Sequence, residues 1–437
     1  MKGASIRDRM NGVGEAPGKT WFWELEAGVV DAGRCVQCGT CVAVCPSNSI
    51  GVSIESSLPE LVKMCTGCSL CWDFCPRGGL RAEALWPPST PSTPSTPSTP
   101  STPSTPSKGD GPSAPGATPV LEPGAPRWLT PGPPADGLGA VVESYAARAS
   151  VGDGLVQDGG VVTAVLLAAL DAGEIDGAVV AVPSDDPAEP LRGVARVATS
   201  PEEIVASGGS FYNQTMALAA LDLSGLDLGD QPRLAVVGTP CEIEGIRAMQ
   251  ARPWPTGAHR VDAVVLTIAL LCTKSFDYRT LVLQLLRDEH GVDLERVSKV
   301  DVVHGRLVVE YADGGVAVDE PVKLFRGAAL KGCDECADFV GRTADLSVGS
   351  VGSLRGWSSV LVRTERGRRA LGAARRRLDL RDLDSPEALE RLDRLDKKAA
   401  VEALRRPFDP EGPLFIDFAD HVAAYDGSDR AVVVPQR

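Results

Sequence analysis

The sequence predicts an α+β protein in two modules, a mixed α/β core preceded by a small cysteine-rich N-terminal domain. Three observations carry this. Eight of the twelve cysteines fall in two compact runs between Cys35 and Cys75. A Ser-Thr-Pro repeat interrupts the chain at Ser89–Pro106. Behind it, apolar β-type runs alternate with helical patterns, the signature of a mixed sheet covered by helices.

The expected boundaries are 21–86 for the small domain, 87–136 for a disordered linker and 137–437 for the core. The linker holds six Ser-Thr-Pro repeats and coreless Pro/Gly-rich sequence to Pro134, so it has too little apolar surface to fold. At about 3.1 Å per residue the repeat spans roughly 50 Å. Such a spacer admits two arrangements, a permanently docked small domain for which linker length is irrelevant, or one that shuttles between the core and an acceptor, and its resistance to collapse favours the shuttle. Within the core, Ala178–Val182, Leu234–Val237 and Val261–Ile268 read as buried strands. Val161–Asp171, Cys241–Gln250 and Tyr278–Glu289 read as helices. Val302–Val303 and Leu307–Tyr311, around His304-Gly305-Arg306, read as a hairpin. Ser385–Arg406 has the spacing of a solvated amphipathic helix.

Composition narrows the function classes. Lys+Arg number 44 and Asp+Glu 58, a net charge of −14, which argues against a nucleic-acid partner. No apolar run reaches the ~18 residues of a membrane span. The longest, Val261–Leu271, carries Asp262, and Met1–Ser5 has no apolar stretch behind it, so no signal peptide is visible. These features predict a cytoplasmic protein and leave peripheral membrane association open. In a reducing compartment twelve cysteines read as metal ligands rather than disulfides.

The N-terminal cysteines repeat one motif. Cys35, Cys38, Cys41 and Cys45-Pro46 form C-x2-C-x2-C-x3-C-P, and Cys65, Cys68, Cys71 and Cys75-Pro76 repeat it. Three closely spaced thiolates wrap one face of a 4Fe-4S cubane, and the fourth ligates the other cluster. The expected sets are Cys35, Cys38, Cys41 with Cys75, and Cys65, Cys68, Cys71 with Cys45. Gly39 and Gly67 let the backbone approach the sulfides. Zinc knuckles would use paired C-x2-C without the third cysteine. The module resembles a bacterial-type ferredoxin with two 4Fe-4S clusters over roughly Ala32–Leu80.

Four cysteines remain: Cys241, Cys272, Cys333 and Cys336. Cys241 lies in the first turn of a helix behind a strand, with Thr239 and Glu242 at capping-box spacing and Pro240 at the first helical position. There the helix dipole favours a thiolate. Cys272 follows another strand, and Cys333/Cys336 form a C-x2-C pair. Strand ends of an α/β sheet gather at one edge, so the segments could converge on a third cluster. Spacing alone leaves this open against two buried small hydrophobes plus a zinc or redox pair.

Several segments in order resemble the beta-subunit family of coenzyme F-420 (8-hydroxy-5-deazaflavin, F420) hydrogenases and dehydrogenases. They are Gln157–Thr163, Glu174–Val180, Ser207–Tyr212, Gly238–Cys241, Cys272 with Ser275–Tyr278, Lys331–Cys336, Asp345–Gly352 and Gly356–Ser358. The resemblance runs from about Val156 to Arg363. It implies a flavoprotein core carrying FAD and one 4Fe-4S cluster, making Cys241, Cys272, Cys333 and Cys336 that cluster's ligands. It also implies a fused ferredoxin module that passes electrons from reduced deazaflavin onward. Phe211 stands where the family often has Lys, which puts a phosphate or substrate contact there in doubt. The Ser-Thr-Pro linker is unusual for the family.

No G-x-G-x-x-G follows a strand with an acidic residue about twenty residues on, so FAD must use other turns. Gly159-Gly160 opens the helix after it, and Thr163 adds a hydroxyl. Gly208-Gly209-Ser210 and Gly349–Gly352 can act similarly, though each also reads as a plain turn. The candidate cofactor contacts are Gly159, Gly160, Thr163, Ser210, Tyr212, Thr239, Gly349, Gly352 and Trp357. Trp357 reads equally as core. Lys274, Lys299, Lys323, Arg326 and Lys331 are candidates for the acidic tail of F420, or solvated charges. His259, His290, His304 and His421 have no ligand spacing.

The expected cofactors are three 4Fe-4S clusters and FAD, with F420 as substrate. A deazaflavin gives hydride, clusters take single electrons, and a flavin converts one currency into the other. The expected function is electron transfer from reduced F420 through FAD and the clusters to an external one-electron acceptor, on a redox partner protein or complex subunit. No side chain is assigned acid–base catalysis. Two alternatives stand beside it: a ferredoxin-fed reductase of an organic substrate, and a non-catalytic electron-transfer subunit.

Overall fold

The structure, a computed structural model, describes residues 21–53, 56–68, 70–77, 138–150, 158–221, 226, 228–251 and 260–404. The predicted linker 87–136, His259 and His421 lie outside the described residues.

The N-terminal domain is built from short pieces because two cysteine runs leave little room for regular structure. Helix α1 (Thr40–Val44) and helix α2 (Leu70–Asp73) each carry the end of one motif, and strands β1 (Ile50–Val52) and β2 (Pro59–Leu61) pair antiparallel between them. Gly39 caps α1 with φ 76°, and Gln37 has φ 52° in the first C-x2-C turn. These left-handed residues fold three thiols toward one point.

The core is an eight-stranded mixed sheet in the order β13-β3-β12-β11-β7-β6-β4-β5. Its parallel centre comprises β4 (Gly177–Pro183), β6 (Leu234–Gly238), β7 (Val264–Leu270) and β11 (Leu346–Gly349). β3 (Glu143–Ala149), β5 (Gly193–Ala198), β12 (Ser358–Val362) and β13 (Leu378–Arg381) run antiparallel to their neighbours. Alternate side chains enter opposite cores. Val179, Leu234 and Val236 face one layer, while Ala178, Val180, Ala235 and Leu266 face the other with helix α3 (Val161–Asp171). The strand expected at Val261–Ile268 starts later. Arg260–Ala263 form a 3-10 turn with Asp262 exposed, and β7 begins at Val264.

The first layer corrects the shuttle expectation. Phe22, Leu25 and Val29 of the N-terminal domain share one hydrophobic cluster with Ala217, Leu218 and Leu221 of the core. Ile243, Ile246 and Met249 of helix α4 (Pro240–Ala251) belong to the same cluster. Helix α1 packs on the 3-10 turn Ala217–Leu221 and on α4. Full burial of such side chains contributes roughly 1.5–3 kcal/mol each, so the domain is a docked part of the fold.

A three-stranded antiparallel sheet stands apart: β8 (Val297–Val303), β9 (Arg306–Tyr311) and β10 (Val316–Pro321). The expected hairpin is thus its first two strands, turned at His304 and Gly305, with φ 50° and 77°. The π-wound helix α5 (Arg279–Glu289) and Phe325 close its core.

Helix α6 (Pro386–Leu404) corrects the solvated reading of Ser385–Arg406. Leu389, Asp393 and Ala400 are buried, and the helix packs across Lys331–Glu335. Asp393 accepts from Arg342 at 2.9 Å and Lys397 at 2.7 Å. Beside it, burial and Asp393 push the Asp396 carboxyl up to about 7, against the pull of Lys274. The folded chain therefore holds a proton that the unfolded chain releases near the ordinary 3.8, so this group costs stability as pH rises from about 4 to about 7. Asp396→Asn is expected to melt higher than wild type at pH 8, with the gap closing by about pH 4. A gap that widens on acidification contradicts that sign.

Candidate redox site

Each segment that carries a core cysteine has a local reason to be where it is. Parallel strands β6 and β7 end side by side, so Cys241 at the start of α4 and Cys272 just beyond β7 emerge at one sheet edge. Half of the expected capping box forms: Glu242 accepts from the Thr239 N–H at 2.8 Å and the Thr239 hydroxyl at 3.1 Å. Gln214 donates to the Thr239 hydroxyl at 2.9 Å and accepts from Ser275 at 2.8 Å, which ties the Cys241 loop to the Cys272 loop. The 3-10 turn Lys331–Glu335 brings the remaining pair. Leu330 donates to the Ser275 carbonyl at 2.9 Å, and Cys272 donates to the Phe339 carbonyl at 3.1 Å.

The thiols fall into three groups. Cys41 lies in the field of Cys35, Cys38 and Cys75, Cys71 in that of Cys65, Cys68 and Cys45, and Cys272 in that of Cys333 and Cys336. Cys241 joins the last group through Cys336. The groups also follow one another in order: Cys241 lies in the field of Cys38, and Cys41 in that of Cys71. Cys68, at the far end, is exposed.

The residues present fit clusters. A cavity is lined by Cys35, Cys38, Cys41 and Cys75, closed by Val29, Thr40 and, from the core, Met216. Backbone N–H groups reach the sulfurs: Gln37 to Cys35 at 3.3 Å, Ser49 to Cys45 at 3.2 Å, Gly67 to Cys65 at 3.4 Å and Arg77 to Cys75 at 3.4 Å. Such donors suit anionic sulfur. Burial pushes the Cys35 thiol up to about 12 and Cys336 to about 11. Cys241 is also raised, chiefly by burial and then by Cys38 and Glu242. This corrects the expected thiolate, because desolvation outweighs the helix dipole there. Iron binding must therefore displace protons from these sulfurs.

Two arginines that sequence reasoning missed join the domains. Arg34, beside Cys35, grips Glu335 with Nε at 2.8 Å and Nη2 at 2.7 Å, and reaches the Gly28 carbonyl at 3.0 Å. Arg77, two residues past Cys75, donates to the Gly332 carbonyl at 2.6 Å. Gly332 admits this approach because a Cβ there would lie 2.0 Å from the Arg34 carbonyl oxygen. Gly39 is similarly tight, with a Cβ position 2.9 Å from the Ala219 nitrogen. The signal available in sequence was an arginine flanking each end of the motif pair.

The candidate flavin contacts divide. Gly159 donates to the Ser358 hydroxyl at 3.1 Å and packs on the Ala147 carbonyl, so its N–H is committed to the fold. Gly349 is filled against Leu271, and Gly352, with φ 92°, against Ser359 and Leu389. The Thr239 hydroxyl lies 3.1 Å from Cys241 Sγ. Ser210 is exposed. Arg148 and Arg381 lie over the Trp357 ring, at 4.6 and 4.0 Å. Gly160 caps α3 with φ 66°, and the first bond of the helix is Ala164 to Gly160 at 3.1 Å, so the N–H groups of Val161, Val162 and Thr163 precede it. Facing elements converge there. The Tyr212 hydroxyl donates to Asp301 at 3.1 Å and accepts from the Val302 N–H at 2.8 Å. Asp158 is raised by burial and by Asp301, against Lys299 and Arg355. Of the basic candidates, Lys274 pairs with Asp334 and Lys299 with Asp301, while Lys323, Arg326 and Lys331 are exposed. Neither His290 nor His304 belongs to a thiol group.

Comparison with known proteins gives three family matches. Residues 27–76 match the 4Fe-4S dicluster domain. Residues 144–222 match the N-terminal part, and 231–386 the C-terminal part, of the coenzyme F420 hydrogenase/dehydrogenase beta subunit. An uncharacterised protein of Methanocaldococcus jannaschii is 33% identical over 79% of this chain and 88% of its own. The coenzyme F420 hydrogenase subunit beta of Methanothermobacter thermautotrophicus is 35% identical over 53% of this chain and 80% of its own. A solved chain of the F420-reducing [NiFe] hydrogenase complex of Methanosarcina barkeri superposes with TM-score 0.57 at 28% identity, over 61% of this chain and 92% of that one. No helix among the described residues is long and apolar enough to cross a membrane.

Proposed function

Because the chain belongs to the coenzyme F420 hydrogenase/dehydrogenase beta-subunit family and is an iron–sulfur oxidoreductase of that kind, we propose that it carries electrons from reduced F420, through FAD and three 4Fe-4S clusters, to an external one-electron acceptor. The observation that carries this is the order of the thiol groups. Cys241, Cys272, Cys333 and Cys336 would hold the core cluster, Cys35, Cys38, Cys41 and Cys75 the next, and Cys45, Cys65, Cys68 and Cys71 the last. Cys241 in the field of Cys38, and Cys41 in the field of Cys71, link neighbouring groups. Exposed Cys68 marks the exit, so the acceptor is a partner protein or complex subunit that approaches the β1–β2 side.

FAD, when bound, accepts a pair of electrons as hydride and gives them up singly, so one turnover supplies two equivalents of a one-electron acceptor. The residues that would hold it are Gly160, the N–H groups of 161–163 and the Thr163 hydroxyl at the start of α3, facing Tyr212 and Asp301. Gly159 and Ser358 fix the approach of α3 to β12. Tyr212 ties its own loop to β8 through Asp301 and Val302, in the field of Asp158 at the approach to that helix start, and would help to screen the site from water. Exposed Lys323, Arg326 and Lys331 would attract the acidic tail of F420.

Anaerobically prepared chain is expected to contain about twelve irons with matching sulfide, three clusters of four. Its flavin absorbance is expected to bleach on addition of reduced F420. Iron near eight would remove the core cluster. A flavin spectrum with no bleaching would redirect the reading to the ferredoxin-fed reductase.

A further inference from the structure

Arg77 is the cation between the core and the nearest ferredoxin group. Its residue is 5% exposed. Nε donates to the Gly332 carbonyl at 2.6 Å and Nη1 to the Pro76 carbonyl at 3.0 Å. Nη2 is buried with no hydrogen-bond partner. Cys336, Glu335, Cys241 and Cys333, in that order, are the acidic groups that act most on it, and the three sulfurs become anionic once they bind iron. Glu335 is already gripped by both arms of Arg34. A buried guanidinium with one arm unsatisfied is costly, and the protein keeps it beside three of the four core sulfurs, Cys336, Cys241 and Cys333. Iron and sulfide bound by four thiolates would form the anion that completes it.

We propose that Arg77 is a positioning residue that holds the ferredoxin domain on the core and raises the reduction potential of the core cluster, drawing electrons from the flavin side. The proposal rests on the reading that Cys241, Cys272, Cys333 and Cys336 bind a cluster. The step is a one-electron transfer: the flavin loses one electron, the cluster gains one, and no bond forms or breaks. The cluster becomes more anionic by one charge, and a fixed cation at short range through protein stabilises that state. Arg77 also lies near Cys35, but its strongest neighbours belong to the core group. Its field therefore favours the core cluster over the next one.

The test is a potentiometric titration of the full anaerobic chain followed by electron paramagnetic resonance. The reduction step absent from Cys333→Ala identifies the core cluster. In Arg77→Gln that step moves to more negative potential, further than the other two, and the share of electrons on the core cluster at fixed poise falls about tenfold. Arg77→Lys keeps the charge and restores most of the shift. Glu335→Gln removes the nearest carboxylate and moves the step the other way. An unmoved core step in Arg77→Gln at wild-type iron content overturns the proposal, as does Arg77→Lys shifting as far as Arg77→Gln. If Arg77→Gln does not assemble, Glu335→Gln decides, and a null or negative shift there overturns it. Wild-type iron near eight would instead overturn the underlying cluster reading, and the iron assay separates the two failures.

Discussion

Gly332→Ala is expected to slow electron delivery to the ferredoxin clusters by about 10–100-fold, or roughly 1.4–2.8 kcal/mol of barrier. The added methyl would lie 2.0 Å from the Arg34 carbonyl oxygen, 2.6 Å from its carbon and 2.9 Å from Val36 Cγ1. Two of these are backbone atoms that cannot rotate away, and they precede Cys35 directly. Relief requires the domains to part, which lengthens the Arg77–Gly332 bond and separates Cys38 from Cys241. Overpacking of this kind costs about 1–3 kcal/mol, so a lower melting temperature should accompany the slower transfer. Gly327→Ala is the control, because nothing lies within 4 Å of its Cβ position. Flavin bleaching by reduced F420 should be equal in both variants, and iron should stay near the wild-type level. Equal transfer rates would mean that electrons do not cross at this contact, and the shuttle would return as the working arrangement.

The two ferredoxin motifs were legible because each is local: two or three residues between ligands, a glycine in the turn and a proline after the fourth cysteine dictate the geometry. The core group was half legible. Cys333 and Cys336 announce themselves as a pair, but Cys241 and Cys272 are single residues whose meeting depends on β6 and β7 lying side by side. Docking was not legible. Arg34 and Glu335 are 301 residues apart, and Arg77 and Gly332 are 255 apart, with no periodicity to connect them. The Ser-Thr-Pro composition suggested modules held apart, yet a tether only sets how often partners meet and says nothing about their affinity. Asp262 shows a smaller limit of the same kind. An apolar run reads as continuous strand, but one exposed carboxylate turns its first residues into a 3-10 entry. The flavin turns show another, since a glycine needed for backbone packing, such as Gly349 against Leu271, looks in sequence like one reserved for a ligand.

Cys333→Ala is expected to remove the core cluster and cut reduction of the ferredoxin clusters by reduced F420 by about 100-fold, or roughly 2.7 kcal/mol of barrier. Cys333 belongs to the core thiol group, whose Cys241 lies in the field of Cys38, and in the proposed route this group is the carrier between flavin and ferredoxin clusters. The eight proposed ligands of the other two clusters all lie in the N-terminal domain, with N–H donors at Cys35, Cys45, Cys65 and Cys75. Iron should therefore drop by about four per chain rather than vanish. The groups that act most on Cys333 are Ser275, Arg77, Lys274 and Asp334, none of them in the proposed flavin site, so flavin content and bleaching should persist. Chemical reduction by dithionite should still fill both ferredoxin clusters, which separates a broken route from a damaged domain. Alanine leaves Arg77 near two remaining core sulfurs, Cys336 and Cys241, so some loosening of the contact is expected, and the dithionite control measures it. Ferredoxin clusters that fill from reduced F420 at the wild-type rate, with four irons missing, would place the electron path outside the Cys241–Cys336 group.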